Sequence, residues 1–238
     1  MKTSQGRILT THTGSLPRGE ALSDILVAKV NEEAFDPDAF DAALGIALND
    51  IVARQIEAGI DVGNDGEMPR TDFISYITER MNGFGRGEGP KRRLPLDAQK
   101  FPIWFQHIQK SGRRRMNAYG LPQTIGPLSY DDVSGVEAEC ADFKKVLAAQ
   151  HSGFTETFMT AVSPGFAATA MVNLHYDTYE SYVFAMAHAL KREYDHIASH
   201  GFILQIDSPD MGIERAGYFQ DKSLPEFIAA MEMHIAAL

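Results

Sequence analysis

Strand-like and helix-like segments alternate along this chain, and no other feature restricts its fold as strongly. Residues 7–13 read as a short β-strand. A helix is expected from Asp36 to Ala58, where Phe40, Ala43, Leu44, Ala47, Ile51 and Val52 recur at helical spacing and Gly59 supplies a stop. "GIDVGND" predicts a second strand at 60–64, followed by a helix over 71–82. "TIGPLSY" predicts a third strand, "VEAECADFKKVLAAQ" an amphipathic helix and "ETFMTAVSPG" a fourth strand. In "DTYESYVFAMAHALKREYDHIASHG", Val183, Met186, Leu190, Tyr194 and Ile197 share one helical face. "FILQID" predicts a fifth strand, and "SLPEFIAAMEMHIAAL" a last helix with Ser223 as cap and Pro225 in its first turn. Such alternation calls for parallel strands joined by helical crossovers.

Polar residues gather where the predicted strands end. His12 and Ser15 follow the first, Asn64, Asp65 and Glu67 the second, Ser163 the fourth and Asp207 the fifth. The expected class is therefore α/β, of the TIM (β/α) barrel type with parallel strands, whose site lies at the strand C-termini. A doubly wound sheet also binds ligands there, but no G-x-G-x-x-G or P-loop follows any strand. Five predicted strands fall short of a barrel's eight, so the barrel is expected to be incomplete, with about five of eight β/α units. One domain over 1–238 is expected, with 83–118 as a loop-rich insertion. An open arc exposes an edge strand. The chain thus reads as a fragment of a longer enzyme, or as a shortened relative completed by another chain.

A formal net charge of −10 argues against nucleic acid or an anionic membrane as partner. The N-terminus lacks the apolar core of a signal peptide, and the single cysteine excludes an intrachain disulfide, so a cytoplasmic location is expected.

In the fifth strand, period-2 alternation puts Gln205 and Asp207 on one face and Phe202, Leu204 and Ile206 on the other. A carboxylate at such a place wants a cation or several donors; alternatively Asp207 caps the turn before Pro209. "DVGNDGEMPRTDF" packs Asp61, Asp65, Glu67 and Asp72 around one strand end, with Gly66 suited to a turn that aims Glu67 inward. Glu67 and Asp207 together can grip an ammonium; a solvated acidic turn is the other reading. His12 is a candidate acid, base or ligand, or simply a hydrogen-bonded structural histidine. Gly14 and Ser15 offer N–H groups and a hydroxyl to a carboxylate. His196 and His200 stand at metal-like spacing with Glu193 nearby, but off the apolar stripe, which favours an ordinary outer surface. His175 has no assignment. Lys91, Arg92, Arg93, Lys110 and Arg113 to Arg115 are read as loop charges, Trp104 as packing for that loop and Cys140 as a buried small hydrophobe.

"THTGSLPR", "EAGIDVGNDGEMPRTDFISY", "IGPLSY", "AVSPG" and "EYDHIASHGFILQIDSPD" together resemble, in order over nearly the whole chain, the cobalamin-independent methionine synthase family. The similarity is closer to its short single-barrel relatives, which include the epoxyalkane:coenzyme M transferases. It implies a TIM barrel that transfers a methyl or alkyl group to a thiol held as thiolate by zinc. In the synthase the co-substrate is a methyl-folate polyglutamate and the acceptor homocysteine. By the same resemblance Thr13, Gly14 and Ser15 hold the amino acid's carboxylate, while Glu67 and Asp207 grip its amino group. Asp207-Ser208-Pro209 stands where the synthase has Asp-Glu-Pro, which points to the shorter relatives. The family's zinc ligands, a His-x-Cys pair, a glutamate and a later cysteine, find no match, so no metal site is expected within this chain. A non-catalytic binding or assembly protein and a metal-free barrel lyase working through His12 are the rival readings.

Overall fold

A computed structural model describes residues 1–31, 33–89, 92–110, 121–151 and 153–238. Among them, in chain order, are α1 (Glu20–Val30), α2 (Pro37–Glu57), β1 (Val62–Gly63), a 3₁₀ turn (Ser75–Glu79), β2 (Asn82–Gly85), α3 (Leu96–Lys100), α4 (Pro102–Lys110) and β3 (Gln123–Ser129). Then follow α5 (Ser134–Ala149), β4 (Glu156–Val162), α6 (Pro164–Ala170), α7 (Tyr179–Ser199), β5 (Ile203–Asp207), α8 (Asp210–Ile213) and α9 (Leu224–Ala236). The class is α/β: a sheet in the order β1-β4-β5, in which β1 runs parallel to β4, is interleaved with helices. The chain divides into two compact units, Met1–Tyr76 with Asp132–Ala161 and Glu193–Gln205, and Ile77–Asp131 with Val162–Arg192 and Ile206–Leu238.

In the first unit α2 begins where the Asp36 carboxylate accepts the Asp38 N–H at 3.0 Å and Pro37 fills the first turn. Of the apolar stripe read from the sequence, Leu44, Ile51 and Val52 are buried, and Leu48, which that reading did not include, is buried with them. α5 buries Val136, Cys140, Phe143 and Val146 at the same spacing, and Phe143 stacks on Phe202 with ring centroids 5.2 Å apart. The expected first strand does not form. Ile8 is 83% exposed, and residues 7–13 carry no strand hydrogen-bond ladder. They are held at single points instead: the Asp61 and Val62 N–H groups both donate to the Thr10 carbonyl at 3.0 Å.

In the second unit β2 pairs antiparallel with β3, which corrects the expectation of parallel strands throughout. Four residues with two glycines, "NGFG", give too little pattern to announce β2, and its register with β3 shifts between Asn82 and Phe84. α3, α4 and all of β2 but Asn82 fall within the expected 83–118 insertion, which therefore carries regular structure; residues 90–91 and 111–118 of it lie outside the described residues. The helix expected over 71–82 is only the 3₁₀ turn. α9 matches its expectation in detail, with a capping box in which the Ser223 hydroxyl faces the Glu226 N–H and the Glu226 carboxylate accepts the Ser223 N–H at 2.8 Å. Phe219, Phe227 and Met231 form a core cluster there.

Candidate functional site

The turn after β1 sets the geometry of the first unit's polar cluster. Gly66 (φ 67°) and Glu67 (φ 54°) are both in the left-handed region, which is costly for a glutamate. Its neighbours enforce it. The Asn64 side-chain oxygen accepts the Gly66 N–H at 2.8 Å, and the Asp65 carboxylate accepts the Glu67 N–H at 2.9 Å. Arg18 donates to the carbonyls of Glu67 at 2.5 Å, Met68 at 3.2 Å and Arg70 at 2.8 Å. The turn is thus fastened from both sides.

So fixed, the buried Glu67 carboxylate accepts one hydrogen bond from the Ser15 hydroxyl and another, at 2.8 Å, from the Thr160 hydroxyl on β4. Gly14 (φ 147°) lies directly against it: a Cβ there would stand 2.6 Å from Glu67 Oε1. Only glycine lets the backbone approach so closely. Thr13 and Ser15 are exposed on either side, and the Gln205 amide donates to the Thr13 carbonyl at 2.6 Å. His12 is half-buried; its Nε2 meets Gln55 Oε1 at 2.8 Å, while Nδ1 has no partner among the described residues.

Of the four carboxylates read around this strand end, two have structural employment. Asp61 pairs with the Arg7 guanidinium, which holds its carboxyl well below the usual range. Asp72 accepts the N–H groups of Ile74 at 2.6 Å and Ser75 at 2.7 Å, opening the 3₁₀ turn. Asp65 is different: Oδ2 has no partner among the described residues, and burial pushes its carboxyl up to about 6. The solvated-acidic-turn reading is overturned, since Asp61, Asp65 and Glu67 are all buried.

Beneath the turn lies a network that the sequence did not announce. Buried Arg70 pairs with Glu139 at 2.9 Å, donates to the Thr160 carbonyl at 2.9 Å and hydroxyl at 3.1 Å, and lies 4.3 Å over the Tyr76 ring. Tyr76 in turn donates to Glu193 at 2.5 Å. The Thr160 hydroxyl therefore accepts from Arg70 and donates to Glu67, which aligns it and strengthens both bonds. The hydrogen-bonded partners are 69 to 117 residues apart, so no local spacing reveals them.

Asp207, in the second unit, ends β5 half-buried, and its carbonyl accepts the Ser163 N–H at 3.0 Å. Ser163 caps α6 and donates to Asp210 at 3.1 Å; Asp210 meets His234 Nδ1 at 2.6 Å, and His234 Nε2 meets the Tyr179 hydroxyl at 2.9 Å. A cavity of about 790 Å³ in this unit is lined by Arg92, Arg93, Leu96, Glu214, Arg215 and Gln220. Two of its arginines are ion-paired, Arg92 with Glu214 and Arg93 with Asp221. Lys91 and Arg113 to Arg115, and the side chain of Lys110, lie outside the described residues. His175 is exposed against Tyr176, and Trp104 is half-exposed on α4 rather than packed away.

Strands and helices in alternation, with hydroxyl and carboxylate groups gathered at a strand end, define an α/β protein with a polar cluster at the end of β1. Comparison with known proteins narrows that class. Residues 8–89 match the family model "Cobalamin-independent synthase, Catalytic domain". Methionine synthase of Sulfolobus acidocaldarius is 26% identical over 206 residues, covering 84% of this chain and 51% of that protein. The 5-methyltetrahydropteroyltriglutamate–homocysteine methyltransferase of Corynebacterium glutamicum is 22% identical over 117 residues, 49% of this chain and 16% of that protein. A B12-independent methionine synthase from a Shewanella species, solved in complex with selenomethionine, superposes with a TM-score of 0.63 at 20% identity, over 96% of this chain and 58% of that one. The chain is thus similar to cobalamin-independent methionine synthases, by the family model over residues 8–89 and by pairwise similarity over most of its length. It spans about half the length of the curated methionine synthases it matches over most of its own length.

The zinc site that the family resemblance implies does not fit the residues present. A sulfur-rich site needs thiolates, and the one cysteine, Cys140, is buried in α5 with its thiol pushed up to about 12, chiefly by that burial. No helix among the described residues is long and apolar enough to cross a membrane.

Proposed function

We propose that this chain provides the amino-acid-binding part of a methyl- or alkyltransferase acting on a thiol, with homocysteine as the ligand suggested by its relatives. The observation that carries the reading is the buried Glu67 carboxylate, held in a strained turn against a bare glycine with Ser15 beside it. Strain of that kind persists where the surrounding structure over-determines it, as at ligand clamps. Glu67 accepts from an ammonium, Ser15 and the N–H groups near Gly14 face a carboxylate, and the preset turn lowers the ordering cost of binding. Asp207 is assigned to the same ammonium by resemblance alone. The TIM barrel, incomplete at about five of eight units in this reading, is completed by a further stretch of polypeptide that also brings the metal. Chemistry at the thiol and any methyl-folate polyglutamate belong to that assembly.

The test is calorimetric titration of homocysteine into the chain and into Glu67→Gln. Removing one partner of a buried charge pair weakens binding by about thirtyfold or more. Equal affinities, or no binding to the parent chain, would remove Glu67 from the role; Asp207→Asn tests the second assignment in the same way. The absence of a thiolate donor set favours one alternative, a binding protein without chemistry. Alkyl transfer by the chain mixed with its completing partner would exclude it.

A further inference from the structure

Away from the Glu67 turn, three side chains that could ligate a metal converge on the outer face of the first unit. Glu137 stands in the first turn of α5, His196 in the last turn of α7, and His200 one turn further on. His196 Nε2 lies 2.6 Å from Glu137 Oε2, and His200 Nε2 lies 3.2 Å from that same oxygen. The donor atoms all fall within 4.8 Å of one another. Glu193, three residues before His196, is not involved: it is buried and accepts from Tyr76.

As an ion pair alone this arrangement gains little. Glu137 is half-exposed, and solvent screens such contacts to about 1 kcal/mol or less. Two imidazoles also compete for one oxygen, each needing its proton on Nε2 to donate there. A cation placed between the three replaces both protons and satisfies every donor at once. Tetrahedral zinc with ligand distances near 2.0–2.1 Å separates neighbouring ligands by roughly 3.3 Å, close to the His200 spacing. His196 would open by somewhat under about 1 Å on that scale, which one side-chain adjustment supplies. The histidines are only 29% and 17% exposed, so less rotamer freedom remains to be lost on binding. Two imidazoles and one carboxylate suit zinc and its neighbours among divalent transition ions, not magnesium or calcium, which prefer all-oxygen shells.

We propose that Glu137, His196 and His200 bind one divalent transition-metal ion, zinc being the expected occupant, with water as the fourth ligand. The ion would clip the start of α5 to the end of α7. It would have no part in thiol activation, since no sulfur reaches it. The proposal does not depend on the homocysteine reading.

The experiment strips the chain with chelator and titrates zinc chloride into it by calorimetry, in parallel with His196→Asn, His200→Asn, the double variant and Glu137→Gln. The expected result is one zinc per parent chain, at least about tenfold weaker binding in each single variant, and loss of that equivalent in the double variant. Zinc should raise the Tm of the parent chain and not of the double variant, while magnesium shifts neither. Cobalt(II) in the parent chain should give the visible absorption of a tetrahedral N/O site, which reads the site without any substitution. Equal zinc stoichiometry and affinity in parent and double variant, or a magnesium shift matching that of zinc, would overturn the proposal.

Discussion

Around Glu67 in the first unit and Asp210 in the second, a carboxylate at most 1% exposed stands against a glycine with no room for a side chain. A Cβ on Gly14 would lie 2.6 Å from Glu67, and one on Gly165 would lie 2.3 Å from His234 and 2.6 Å from Asp210. Both clusters put a hydroxyl on the carboxylate, Ser15 in one and Ser163 in the other. The difference is completeness. Ser163 and His234 both donate to Asp210, and Tyr179, whose phenol burial keeps protonated, donates to His234 in turn. Around Glu67 two buried atoms, Asp65 Oδ2 and His12 Nδ1, lack partners among the described residues. Buried polar atoms are seldom left so without reason. A closed network contributes stability; an open one leaves something for a ligand to complete.

That contrast can be broken most forcefully in the closed cluster. His234→Ala leaves Asp210 buried without its partner and should cost about 3–5 kcal/mol in denaturant unfolding. A loss under about 1 kcal/mol would show the network to be dispensable. Next comes Asp65. Its carboxyl titrates at about 6 when folded against an ordinary 3.8. The folded chain therefore holds that proton more tightly, and stability falls as pH rises from about 4 to 6, by up to about 3 kcal/mol. Asp65→Asn keeps the bond to the Glu67 N–H and removes this slope, so the variant should gain on the parent across that window. Parallel stability–pH curves would mean the buried charge is compensated after all.

Gly14→Ala should cost about 2 kcal/mol, since it combines an unfavourable φ with a clash on Glu67, and should move the carboxylate enough to weaken ligand binding as well. Ser15→Ala is the mildest change for folding, under about 1 kcal/mol, because the exposed site lets water replace the hydroxyl. Its effect should appear in homocysteine affinity instead. A thermal shift for Ser15→Ala as large as that for His234→Ala would erase the distinction between the clusters.

Much of this was legible along the chain. α2, α5, α7 and α9 announced themselves through apolar spacing and caps, and β4 and β5 through short apolar runs. Gly66 and Glu67 were readable because a glycine before a lone glutamate at a strand end marks a tight turn. Residues 7–13 misled because an apolar, threonine-rich stretch looks the same whether it enters a sheet or is tied down at single atoms. The Asp210–His234–Tyr179 network and the Arg70–Glu139 pair join distant residues and leave no periodic trace. The same holds for Glu137, whose histidine partners were visible while it was not.

Arg18 gives the leading segment an importance out of proportion to its lack of regular structure. One guanidinium ties three backbone carbonyls, those of Glu67, Met68 and Arg70, to a stretch that otherwise runs free of any ladder. A later translation start, or a protease cutting just beyond this arginine, would not trim a loose end. It would remove the three carbonyl contacts by which Arg18 holds the Glu67 turn.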